Sequence, residues 1–211
     1  MDAIPELLQA LRGGEPVILV DRHDRENEGD LVLAAELVSV PKLAFVLNEA
    51  RGGVLCLAVE GRRLDELQIP LMCPDDDNTE RNRTRFTVSV DARHGTMTGV
   101  SVSDRVRTIQ AVLDPATRSE DLARPGHLFP LRADEAGVLG RPGHTEAAVD
   151  LCRLAHLYPA AAICEILNPD GTMAGLPELE ALAARHGLKL GHVDDLVRLR
   201  REAEPAPHAA R

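Results

Sequence analysis

The segment Arg25-Glu26-Asn27-Glu28-Gly29-Asp30 sets three carboxylates at alternate positions. In an extended chain alternate side chains share a side, so Glu26, Glu28 and Asp30 are expected to converge while Arg25 and Asn27 face the other way. Like charges held that close raise one another's pKa or gather a cation. An all-oxygen set suits magnesium, manganese or calcium better than zinc. The competing reading is a solvated acidic turn. The flanks argue against it: residues 16–20 and 31–35 are unbroken apolar runs that read as buried strands. Gly29 is expected to take a positive φ and aim its neighbours inward.

A second constellation, Arg141-Pro142-Gly143-His144-Thr145-Glu146, stands directly before an amphipathic stretch. Free backbone amides and the dipole at a helix start favour an anion. Arg141 adds a two-pronged donor, Gly143 permits close backbone approach, and Thr145 offers a hydroxyl and an N-cap. The set is a candidate phosphate cradle, or else an ordinary capped helix with a loop arginine. His144 has a nitrogen available to a metal. Glu165 interrupts the apolar run 161–167. A carboxylate buried there needs a partner or must keep its proton, and either state suits an acid/base catalyst, with a structural salt bridge to an arginine as the alternative. By residue type alone, Cys56 reads as an inert core thiol and His127 as a histidine at a strand start.

Elements must hold these groups in place. Ile4, Leu7, Leu8 and Leu11 recur with helical spacing and stop at Gly13-Gly14, giving an opening helix; residues 41–50 read as a second one. Residues 54–59 form an apolar strand. Residues 71–84, with Asp75-Asp76-Asp77-Asn78, read as a long mobile loop with a solvated acidic surface. A half-buried strand at 86–90 precedes a helix capped near Ser103-Asp104 that buries Val106, Ile109 and Val112. Residues 114–125 read as loop, 127–131 as strand, 146–157 as helix and 161–167 as strand, with a turn at Asn168-Pro169-Asp170-Gly171. A last helix is expected from Pro177 to Gly187, and a frayed tail over 201–211. Strands and helices alternate irregularly. The expected fold is therefore α/β (α+β): a single three-layer domain over residues 1–200, its mixed twisted sheet carrying helices on both faces.

Composition bounds the function. The chain has 211 residues, 44% of them hydrophobic, enough for one core, and only 2% aromatic. A net charge of −10 and a missing basic patch argue against nucleic acid, and the scarce aromatics against base stacking. No apolar run is long enough to cross a bilayer and no leader pattern is visible, so a cytoplasmic protein without membrane contact is expected. The four cysteines lack metal or disulfide spacing and read as reduced thiols.

Residues 24–31, Phe86-Thr87-Val88-Ser89-Val90-Asp91, Thr98-Gly99-Val100-Ser101, Arg124-Pro125-Gly126-His127, Arg141 to Ala147, Ile163-Cys164-Glu165-Ile166 and Asp170-Gly171-Thr172-Met173-Ala174 occur in this order. Through them the chain resembles the 3,4-dihydroxy-2-butanone 4-phosphate synthase family of riboflavin biosynthesis, over nearly its whole length. The resemblance implies that Glu26 and His144 hold two magnesium ions, with manganese as a substitute. It implies that Arg25, Glu26, Asp30, Glu165 and residues 141–145 bind ribulose 5-phosphate, that His127 and Glu165 are essential for catalysis, and that Cys56 lies near the substrate. Glu28 or Asp30 is then the candidate base. A homodimer is implied, with active sites near the subunit contact. Arg22-His23, Met97 and Gly175 depart from the usual pattern without removing a ligand. Many relatives continue into a GTP cyclohydrolase domain, and only the synthase activity is expected here. A metal-dependent sugar-phosphate phosphatase or aldolase would use the same groups, and an RNA-binding module is disfavoured by charge.

Overall fold

In the computed structural model, which describes residues 1–203, seven strands build one sheet: β1 (Val17–Val20), β2 (Gly29–Ala34), β3 (Cys56–Glu60), β4 (Val90–Ala92), β5 (Leu122–Ala133), β6 (Ala160–Glu165) and β7 (Leu190–His192). Their order across the sheet is β4-β5-β3-β6-β2-β1-β7. β1 runs parallel to β7 and β3 to β5, and the other four pairs are antiparallel. Seven helices accompany them: α1 (Ile4–Arg12), α2 (Val40–Ala50), α3 (Gly61–Glu66), α4 (Val102–Leu113), α5 (His144–Leu154), α6 (Leu176–His186) and α7 (Val193–Ala203).

Every residue of β1 and β2 is buried, which follows when both faces of a sheet are covered. Alternate strand residues feed two cores. Ile18, Leu31, Leu33 and Leu57 pack with Val46 of α2, Ile109 of α4 and Leu179 of α6. Val17, Leu19, Val32 and Ile163 pack on the opposite face with Leu7 of α1, Leu151 of α5 and Leu196 of α7. The three layers expected from sequence are thus present.

Several expectations need correction. The helix ending before Gly187 is not the last, because β7 and α7 follow it. Gly187 takes φ +66° to close α6, and the chain then lays Leu190 beside Ile18. A three-residue strand is too short to show a period, and the Val193, Leu196, Val197 stripe of α7 is diluted by six charged residues. α7 runs to Ala203; the rest of the tail expected over 201–211 lies outside the described residues. β5 begins at Leu122, inside the expected loop, and pairs with β4, which lies at 90–92 rather than at the expected 86–90, where Phe86 and Thr87 form isolated bridges instead. Ser101, not Ser103 or Asp104, caps α4, its hydroxyl accepting from the Asp104 amide at 3.1 Å.

Candidate active site

The acidic run leaves β1 as a tight loop and enters β2, and a side chain not singled out in the sequence shapes it. Asp21, buried just past the end of β1, accepts from the Glu26 amide at 3.1 Å, the Glu28 amide at 3.0 Å and Arg25 Nη1 at 2.8 Å. Asn27, not Gly29, takes the left-handed conformation, φ 58°. The break in extended geometry turns Arg25 to the same side as the carboxylates, and its Nη1 also donates to Glu26 Oε2 at 2.7 Å. Gly29 is small for a different reason: a Cβ there would sit 2.4 Å from Leu179 Cδ1 of α6.

A cavity of about 200 Å³ opens at this point. Arg25, Glu26, Glu28 and Asp30 form one side of it, and Glu165, at the end of β6 and opposite Asp30 in register, forms the floor with Ile163. Arg141, His144 and Thr145 come from the start of α5. Glu165 is held not by an arginine but by the Val54 amide, which donates to Oε2 at 3.0 Å. The loop expected to be mobile and solvated supplies Glu80 and Thr84 to the wall, and Asn82 Nδ2 donates to Glu26 Oε1 at 2.7 Å. Nothing in its composition signalled that use.

His144 is buried with Nδ1 3.2 Å from Glu26 Oε2 and 4.0 Å from Asp30 Oδ1. Its Nε2, and Asp30 Oδ1, have no hydrogen-bond partner among the described residues. Asp21, Glu26 and His144 offer ligand atoms within 4.8 Å of one another. Two carboxylates, an imidazole and two orphaned buried polar atoms are a donor set that a divalent cation fits.

The electrostatics separate the carboxylates. Burial works against the charge of Glu26, but the His144 hydrogen bond and the Arg25 guanidinium outweigh it and hold its carboxyl at about 2. Burial pushes Glu28 up, helped by the charges of Glu26 and Glu165. Full burial raises Asp30 further; His144 opposes the rise, and the charges of Glu165, Glu26 and Glu28 add to it. His144 also rises, since the charges of Asp30, Glu26 and Asp21 overcome the burial that disfavours its cation. A metal bound here would displace that proton.

Two arginines meet at the start of α5, beside this donor set, each paired with a carboxylate. A Cβ on Gly143 would lie 2.5 Å from Arg141 Nη1 and 2.8 Å from Arg25 Nη2, so glycine lets two guanidinium groups close over the start of α5. Gly143, rather than Thr145, is the N-cap, and no side chain caps the helix. Its first amides are thus left for a ligand. Arg141 is braced by Glu146 Oε2 at 2.7 Å, Thr84 Oγ1 at 2.7 Å and the Asn82 carbonyl at 3.0 Å.

Besides Gly143, which lies beneath the two arginines, three candidates lie outside the lining. Pro142 is exposed, in a separate groove with Arg22 and His192. Cys56 is buried on β3 beside Ile163, and burial together with the charges of Glu165 and Asp30 drives its thiol upward, which keeps it protonated and a poor nucleophile. His127 lies on β5, half exposed and paired with Asp91.

A family model described as 3,4-dihydroxy-2-butanone 4-phosphate synthase matches residues 5–199. The 3,4-dihydroxy-2-butanone 4-phosphate synthase of Agrobacterium fabrum is 54% identical over 194 residues, covering 92% of this chain and 90% of that protein. The protein of the same name from Neisseria meningitidis serogroup A is 47% identical over 201 residues, covering 95% and 54%. Among solved structures, RibBX, a two-domain synthase of this kind from A. baumannii, superposes with a TM-score of 0.91 at 43% identity, covering 97% of this chain and 59% of that one. A 3,4-dihydroxy-2-butanone 4-phosphate synthase in complex with two magnesium ions gives 0.89 at 38% identity, covering 96% and 98%. With the family model spanning residues 5–199 and a relative 54% identical over 92% of the chain, one conclusion follows: the chain belongs to the 3,4-dihydroxy-2-butanone 4-phosphate synthase family of riboflavin biosynthesis.

Proposed function

We propose that this chain converts D-ribulose 5-phosphate to L-3,4-dihydroxy-2-butanone 4-phosphate and formate, a lyase reaction that supplies the four-carbon unit of riboflavin. The observation that carries the reading is the meeting in one cavity of a carboxylate and imidazole donor set with two guanidinium groups over the uncapped start of α5. A sugar phosphate offers a partner to each set, neutral oxygens along its chain for a bound cation and an anion at its tip for the guanidinium groups and helix amides.

In this reading Glu26 and His144 hold two magnesium ions, with manganese as a substitute and Asp21 close enough to assist; the relative solved with two magnesium ions supports it. Bound cations polarise adjacent sugar oxygens and stabilise developing negative charge. Arg25, Arg141, Gly143 and Thr145 bind the phosphate end, while Asp30 and Glu165 orient the sugar. Glu28 or Asp30 takes the first proton, because both carboxyls are lifted toward the working range of a base. Glu165, fixed by the Val54 amide, serves a later proton transfer. His127, outside its own cavity, acts on the cavity of a second copy in a homodimer. No described helix is long and apolar enough to cross a membrane, and we assign the reaction to the cytoplasm.

Incubation with ribulose 5-phosphate and magnesium is expected to release one formate per sugar consumed and to stop on chelation. Release of inorganic phosphate instead would identify a metal-dependent phosphatase.

A further inference from the structure

Three motif stretches meet, away from the cavity lining, at one carboxylate, Asp91. Asp91 is the middle residue of β4 and is buried. Its Oδ1 accepts the backbone N–H of His127 at 3.0 Å, and its Oδ2 lies 2.7 Å from His127 Nδ1. Two glycines make the room. A Cβ on Gly99, at φ +83°, would fall 2.0 Å from Asp91 Oδ2, and one on Gly126 would fall 2.0 Å from the Val90 carbonyl carbon. Asp104 of α4 pins the first glycine by accepting from its amide at 3.0 Å, and Ser89 Oγ accepts from the second at 3.2 Å. The register between β4 and β5 shifts at Val90/Asp91, the kind of irregularity that re-aims a side chain. His127, at the end of this scaffold, remains half exposed.

We infer that Asp91 is a positioning residue for His127, fixing the ring as the Nδ1–H tautomer with the Nε2 lone pair turned outward to accept a proton. An ionised carboxylate only accepts, so a neutral ring beside it must carry its hydrogen on Nδ1. Because the second oxygen grips the main chain of the same residue, the clamp sets the ring's direction as well as its tautomer. When Nε2 takes a proton from the substrate, the ring becomes a cation and Asp91 stays ionised beside it. The proton returns to the substrate in a later step, so no further reactant is needed. The inference rests on the catalytic role proposed for His127.

Long-range proton–nitrogen NMR of the whole protein tests it, with the His127 ring assigned by its loss in His127→Ala. The neutral ring is expected to carry hydrogen on Nδ1, and finding it on Nε2 overturns the inference without any Asp91 variant. Asp91→Asn keeps the shape and the acceptor for the His127 amide but presents an N–H to Nδ1. Its ring is expected to switch to Nε2–H, and kcat to fall roughly 100- to 1,000-fold, within the range of general acid–base contributions, with KM nearly unchanged. A switched ring with wild-type kcat overturns the inference alone. Full activity of His127→Ala overturns its catalytic premise instead.

Discussion

Glu26, Glu28 and Asp30 differ little in chemistry and greatly in surroundings, and the surroundings assign their work. Glu26 is held ionised by His144 and Arg25, as a metal ligand must be. Glu26→Gln or His144→Ala is expected to lower turnover by about a thousandfold or more, since all metal-dependent stabilisation of charge is lost with the ligand. Circular dichroism should show the fold retained, and calorimetry should show magnesium binding gone. Glu28 is expected to behave in the opposite sense. Its folded pKa lies above the ordinary 4.5, so the folded chain binds that proton more tightly than the unfolded chain does. Its contribution to stability is present below the ordinary carboxyl range and disappears as pH rises through the folded value. The metal-free Glu28→Gln variant should therefore melt higher than wild type near pH 8, with the gap closing near pH 4. A gap that widens on acidification in scanning calorimetry would refute this account. Such roles were legible in the sequence only as a density of charge. The type of each residue was visible, but the burial and partners that split their pKa values were not.

The start of α5 gains its character from neighbours rather than from its own residues. The sequence singled out Arg141, Gly143, His144 and Thr145, because an arginine, a glycine and a helix onset are local signals, and the fold brings Arg141, His144 and Thr145 to the cavity. It assigned the cap to the wrong residue, and it missed that a second arginine, Arg25, arrives over Gly143 from the loop beyond β1. Gly143→Ala is expected to force the two guanidinium groups apart while leaving the helix intact. The KM for ribulose 5-phosphate should rise about tenfold, equivalent to roughly 1.4 kcal/mol of lost phosphate contact, with little change in melting temperature. An unchanged KM in steady-state assays would show that the cradle is not at this glycine. The 71–84 loop escaped notice because its grip on the site runs partly through main-chain atoms, such as the Asn82 carbonyl that receives Arg141. Backbone acceptors are the same at every position and leave no mark in a sequence.

At the scale of the molecule, two cores back the same sheet, and one buried carboxylate ties their outer layer to the site. Asp150 of α5 accepts from the Val138 amide at 3.0 Å and from Arg153 at 2.9 Å, and it pairs with Arg200 of α7. A side chain on Gly137 would collide with it. Asp150→Ala removes the anchor of the 137–139 turn and of α7, and breaking a buried pair on one side should destabilise the fold by about 3 kcal/mol or more. Urea denaturation followed by circular dichroism would measure the loss, and a change under about 0.5 kcal/mol, the scatter of ordinary surface substitutions, would contradict it. The sequence by itself determined which segments are strands and helices wherever apolar residues kept a period, and it determined the chemistry available at each motif. Only the tertiary structure decided that Glu26 and His144, 118 residues apart, touch, that Asp21 joins them, and that His127 stays outside. Periodicity is a property of neighbouring residues, so the chain carries it openly. Meetings between distant segments depend on strand order, on register, and on loops held by backbone hydrogen bonds, which exist only once the chain has folded.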